Sequence, residues 1–177
     1  MRDAAIAGLR AAGHTVNVID LAAEHFNPVM STSEWDTYQR GNGEIPVGLE
    51  RDVSLVKSAE IIVFVYPTWW GGLPAQLKGW LERVMLPGIA FVFNEKNKVR
   101  PGLRNIRRIH IASTFGSPWL YVRLVNDNGR RILARAFRLN TSLRTKVSTS
   151  SLYAMDTATD QSRKSFLLSL EKKMQSL

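Results

Sequence analysis

Two loops in this chain carry residues that could do chemistry, and each follows an apolar run. The first is Tyr66-Pro67-Thr68-Trp69-Trp70-Gly71-Gly72, which comes after Ile61–Val65 and before Pro74. Two indoles beside two glycines put broad, rigid faces on a segment that bends freely, a wall suited to a flat aromatic ligand. The same indoles could instead form a lid over core residues. The second loop is Ser113-Thr114-Phe115-Gly116-Ser117-Pro118, after Ile109–Ala112. Its small hydroxyl side chains and its glycine let backbone N–H groups approach a ligand closely, although Ser-Thr-x-Gly turns are common. No acid–base pair or activated nucleophile accompanies either loop. The chain has no cysteine, which rules out disulfides, thiol chemistry and thiolate-bound metals. His14, His25 and His110 are scattered, with no pair at helical spacing, so no metal site is expected.

The elements that position these loops follow from periodicity. Ile61–Tyr66 is β-branched and apolar, a short buried strand that ends at Pro67. Pro74 opens a helix over 74–86, where its missing N–H costs nothing. Leu77, Trp80, Leu81, Val84 and Met85 then repeat at three- and four-residue spacing and give that helix one packed face. Helices are also expected over 3–12 (Ile6 and Leu9 inward, Gly13 just past the end), 49–58, 119–126, 129–138 and 159–176. Phe166, Leu167, Leu170 and Met174 face inward on the last of these. Strands are expected at 14–20, 105–113 and 145–153, and an aromatic segment at Ile89–Phe93. Residues 21–47 read as irregular, with a short helix at 33–38 capped by Ser31 or Ser33. Alternating strands and helices imply an α/β fold, a mostly parallel sheet with helices on both faces. In such sheets ligands bind beyond the carboxyl ends of the strands, where both loops lie.

With 177 residues and 45% hydrophobic content, one domain over 1–177 with a full core is expected. No apolar run reaches the roughly eighteen residues needed to span a membrane. Met1–Arg10 lacks a secretory apolar region and reads as part of a folded helix, so a cytoplasmic protein is the expectation. The net charge of +9 is uneven: residues 96–146 hold thirteen of the 24 Lys and Arg and one acid, Asp127. A basic half could serve nucleic acid, an anionic cofactor or simply a solvated face. No nucleic-acid motif accompanies it, and no nucleic-acid partner is expected. Arg131, Arg135 and Arg138 fall on one helical face, where they could meet phosphates, solvent or the acids of a partner subunit.

The run from Tyr66 through Pro74-Ala75-Gln76-Leu77-Lys78-Gly79-Trp80-Leu81-Glu82-Arg83-Val84 resembles the flavin-ring segment of the flavodoxin-like NAD(P)H:quinone oxidoreductases. The resemblance implies a flavodoxin-like three-layer sandwich and FMN or FAD as cofactor. NAD(P)H would be co-substrate, with ping-pong two-electron transfer to a quinone-like acceptor. Tyr66, Pro67, Thr68, Trp69 and Trp70 would bound the ring on one side, and Ser113, Thr114, Phe115 and Gly116 on the other. Tyr121 matches a tyrosine that hydrogen-bonds near the hydride acceptor in some members. A histidine those members carry farther along is unmatched here, where Asp127 and Asn128 stand. The resemblance also implies a homodimer, with Phe91-Val92-Phe93 in the wall between subunits. An alternative is a non-catalytic regulatory subunit, an ancillary protein of a transporter that has lost flavin binding.

Against the family's strand order 2-1-3-4-5, the strands expected here match the second to the fifth. The first strand and its phosphate-binding loop have no counterpart. A downstream start or trimmed sequence, a decayed relative, or strand 15–19 pairing directly with 61–66 would each account for this. An open gap would leave backbone groups without partners, at about 1–3 kcal/mol for each buried orphan. Flavin held only by its ring is expected to bind weakly.

Overall fold

A computed structural model describes residues 1–41 and 43–177; Asn42, inside the expected irregular span, lies outside the described residues. In chain order the elements are α1 (Arg2–Ala11), α2 (Thr32–Arg40), α3 (Glu50–Ser58), β1 (Ile61–Pro67), α4 (Ala75–Val84), β2 (Phe91–Phe93), β3 (Val99–Pro101), β4 (Arg108–Thr114), α5 (Trp119–Leu124), α6 (Asn128–Arg131), β5 (Lys146–Leu152) and α7 (Asp160–Gln175). Local chemistry sets the ends. Gly13, just beyond α1, takes a left-handed φ of 85°. Ser31 and Glu34 form a reciprocal capping box on α2, and Thr159 caps α7 through Ser162 N–H.

The main sheet has three parallel strands in the order β1-β4-β5. Ile61 lies opposite Arg108 and Pro67 opposite Thr114, while Arg108 lies opposite Lys146 and Thr114 opposite Leu152. The central strand β4 is buried from Ile109 to Ser113 because it has neighbours on both edges and layers on both faces. On one face Phe64, Tyr66, Ile109 and Ile111 share a core with Val53, Val56, Trp80 and Val84 of α3 and α4. On the other, Val63, Val65 and Ala112 pack with Ala5, Leu9, Leu170 and Met174 of α1 and α7. Strand alternation sends odd and even residues to opposite layers, and the result is a three-layer sandwich.

Three expectations need correction. Residues 14–20 form no strand, so among the described residues the sheet has three strands rather than four, and the alternative pairing with β1 does not occur. A ladder needs a neighbour's N–H and C=O, and this segment is held instead by side chains. Arg51 donates to the Val18 carbonyl (2.9 Å), and Arg2 pairs with Asp20 (2.6 Å). Second, the aromatic segment forms a small antiparallel ribbon, β2 with β3, closed at Asn97 with φ 55°. Third, the helix expected over 129–138 is not uniform: α6 runs into a π-helical stretch at Ile132–Phe137 and a 3-10 turn at Arg138–Asn140. The changed winding breaks the supposed arginine face. Arg138 instead caps nearby carbonyls, donating to Thr145 (3.0 Å) and Leu143 (3.1 Å).

Candidate functional site

Because β1 and β4 are in parallel register, their loops leave the sheet side by side. Thr68 N–H donates to the Thr114 carbonyl at 2.9 Å and ties the two exits together. Beyond it, Trp69 and Gly72 exchange backbone hydrogen bonds of 3.3 and 2.8 Å around a tight two-residue turn. Its central residues, Trp70 (φ 48°) and Gly71 (φ 67°), are both left-handed. That conformation suits glycine or asparagine and is unfavourable for a bulky side chain. Trp70 is fully exposed and Trp69 is 63% exposed, so neither indole is a core lid. Gly71 and Gly72 rest against the α5–α6 corner: a Cβ on Gly129 would stand 2.8 Å from the Gly72 carbonyl carbon.

Beneath this loop the polar groups are unusual. Tyr66 is buried, and burial, aided by the negative charge of Asp127, pushes its phenol well above the ordinary range. It is therefore a neutral O–H donor at physiological pH. Its hydroxyl and the Thr68 hydroxyl are both buried without a partner. Buried hydroxyls without partners are costly, and these two lie at the exit of β1, next to the Trp loop.

The other loop divides into two parts. Ser113 is buried, with its hydroxyl 3.2 Å from that of Ser151, and Phe115 stacks on Tyr153 at 5.0 Å and 14°. Phe115 also donates N–H to Leu152 and accepts from Met155, both at 2.9 Å. These two side chains hold the loop to β5. Gly116 is exposed, and a Cβ there would stand 2.7 Å from the Asp156 carboxylate. Thr114 is half-buried beside Thr68, and Tyr121 is exposed on α5.

Sequence reasoning missed the device behind the Trp loop. Asn126 (φ 74°) and Asp127 (φ 44°) are successive left-handed residues that bury the Asp127 carboxylate against Arg130. The Asn126-Asp127-Asn128-Gly129 string was the available signal, since Asn, Asp and Gly tolerate that backbone best. Among the described residues no His, Asp and Glu cluster could hold a metal, and no helix is long and apolar enough to cross a membrane.

A parallel sheet with helices on both faces and paired loops beyond its strands defines an α/β three-layer fold. Residues 1–142 match the model of the family described as flavodoxin-like fold, and the chain belongs to that family. It is 36% identical over 104 residues to an uncharacterized NAD(P)H oxidoreductase of Haemophilus influenzae, which covers 58% of this chain and 50% of that one. The chain spans about half the length of the curated relatives it matches. Among solved structures, the NAD(P)H:quinone oxidoreductase of Methanothermobacter marburgensis superposes with a TM-score of 0.81 at 21% identity, over 98% of this chain and 88% of that one. An FMN-dependent NADH-azoreductase of Bacillus anthracis, solved with FMN, gives 0.62 at 16% identity, over 99% and 86%. At these identities the superpositions speak to the fold alone.

Proposed function

We propose that this protein is a flavin-dependent NAD(P)H oxidoreductase that passes two electrons to a quinone-like acceptor. The observation that carries the reading is Trp70, held left-handed and fully exposed above two buried hydroxyls without partners. The residues present fit a flavin ring. Trp69 and Trp70 offer stacking faces, while Tyr66 and Thr68 offer O–H donors to its polar edge, with Pro67, Thr114 and Gly116 around the strand ends. Ser113 and Phe115 support that wall from behind. FMN and FAD share the ring these groups would meet, and either serves. When bound, the flavin supplies the chemistry, taking a hydride from NAD(P)H and giving it up to the acceptor. The chain's own part is to hold both flat partners in turn in the same place and to exclude water from it. Tyr121, exposed on α5, is proposed as a hydrogen-bond donor to the acceptor. The family resemblance supports a cytoplasmic homodimer.

Titration with FMN and FAD, followed by quenching of tryptophan emission and by NAD(P)H oxidation with benzoquinone, tests the reading. Saturable quenching and flavin-dependent quinone reduction are expected. Absence of both at saturating flavin would overturn it. Light scattering on the purified chain tests the dimer.

A further inference from the structure

The short helix α5 turns most of its apolar residues outward. Val122 alone among them is buried, whereas Leu120 is 60% and Leu124 77% exposed. With 3.6 residues to a turn, Leu120 and Leu124 stand on the side opposite Val122, pointing away from the core. Trp119 and Arg123 flank them on one side, the guanidinium lying over the indole at 5.5 Å. Tyr121 and Val125 flank them on the other, and there the Trp loop joins the face: a Cβ on Gly71 would stand 3.9 Å from Val125 Cγ2. Trp69, Trp119 and Tyr121 are each more than half exposed, and Trp70 wholly so. The charge beside this cluster has one sign. From Trp119 to Arg138 the chain carries five arginines and one acid, Asp127, whose carboxylate is buried against Arg130.

A contiguous exposed cluster of this kind marks an interaction surface. Its residues are those suited to a membrane–water boundary. Leucines can enter the edge of the hydrocarbon, indoles and a phenol sit at headgroup level, and guanidinium groups meet anionic headgroups. A second copy placed face to face would set these arginines against their own kind, whereas an anionic bilayer complements them. We propose that the Leu120–Leu124 face, with the Trp loop at its edge, docks this protein on an anionic membrane surface. Docking needs no flavin. Where the flavin reading also holds, the loop that meets the acceptor lies at the lipid, where apolar quinone-like molecules concentrate.

Sedimentation of the whole flavin-free chain with vesicles tests this. Vesicles of phosphatidylcholine with phosphatidylglycerol are expected to bind it at least tenfold more strongly than phosphatidylcholine alone, with a blue shift of tryptophan emission. Raising salt from about 0.05 to about 0.5 M should weaken that binding. The double variant Leu120→Ser with Leu124→Ser should lose at least tenfold in vesicle affinity, while its circular dichroism, melting and flavin titration stay as in the parent. Unchanged flavin titration keeps failure here distinct from failure of the flavin reading. Arg123→Gln with Arg131→Gln should reduce the preference for anionic lipid. Leu168→Ser, similarly exposed but on α7, should change nothing. No sedimentation with anionic vesicles at about 1 mM lipid, tenfold beyond the roughly 0.1 mM at which a single acyl chain binds, would overturn the proposal. So would a folded double-serine variant that binds vesicles as well as the parent, or one that light scattering shows to have lost a subunit contact.

Discussion

Trp70 combines an unfavourable backbone with a side chain that touches solvent, a pairing that costs stability and returns none through packing. Trp70→Gly should therefore raise the melting temperature, by an amount corresponding to about 1 kcal/mol, because glycine adopts the turn freely. The same change should weaken flavin binding, since a stacking face is lost. Melting and flavin titration on one sample decide; a variant that melts lower would mean the indole is anchored by contacts within the protein. His110 makes a second residue-scale case. It is fully buried, with Nδ1 2.8 Å from the Ser148 hydroxyl and Nε2 without a partner. Burial, with help from the Lys173 charge, pushes it down from 6.5 to about 4. Between these values the unfolded chain binds the proton and the folded one does not. Stability from this group is thus present above about pH 6.5 and lost progressively toward pH 4, by up to about 3 kcal/mol. Glu34 falls in a different window. Burial pushes its carboxyl up, but Arg83 and the Ser31 N–H more than offset this, so its contribution is lost only below the ordinary carboxylate range. Melting curves from pH 7 to 4.5 should show a decline that His110→Gln removes; an unchanged slope in the variant would assign it elsewhere.

At the scale of elements, β1 is the instructive case. The Thr68 N–H and the Glu60 carbonyl both point to β4, so Ile62, Phe64 and Tyr66 direct their backbone groups there. Ile61, Val63 and Val65 direct theirs to the opposite edge, where β1 has no neighbour among the described residues. Hydrogen exchange should alternate along the strand, slow at 62, 64 and 66 and faster by at least tenfold at 61, 63 and 65. Uniform protection would show that something covers this edge in solution. The strand–loop–helix unit from Ile61 to Val84 was legible in the sequence because its signals are local: β-branching, a terminating proline, and apolar spacing after Pro74. The place of both loops at the ends of β1 and β4 was legible for the same reason. The Lys98-Val99-Arg100 stretch gave no sign of β3, since three residues with charges at either side become a strand only through β2. Residues 14–20 failed in the opposite sense, with a fair alternating pattern and no partner. The roles of Ser113, Asp127 and Tyr153 were hidden because each depends on a contact that only the folded chain creates.

At the scale of the whole fold, the α1–α7 layer covers one face of the sheet. α1 and α7 lie together on one face of the sheet, and Gly8 allows the approach: a Cβ there would stand 2.3 Å from the Glu171 carbonyl oxygen. Leu170 and Met174 are fully buried, and each contributes about 1.5–3 kcal/mol when covered. Removing α7 would also strip cover from Ala5, Leu9 and Ala112, so the loss exceeds about 5 kcal/mol, comparable to the entire net stability of an ordinary domain. The opposite layer, with α3 and α4 against Phe64, Tyr66 and Ile111, would keep its contacts, so collapse should not be total. A chain ending at Ala158 is expected to retain helical circular dichroism, bind a hydrophobic dye and lose its cooperative melting transition. Supplying α7 as a separate peptide should restore part of that transition, because the missing surface is specific to it. A shortened chain that melts cooperatively within a few degrees of the full one would show that the α3–α4 layer and the sheet stand without the α1–α7 layer.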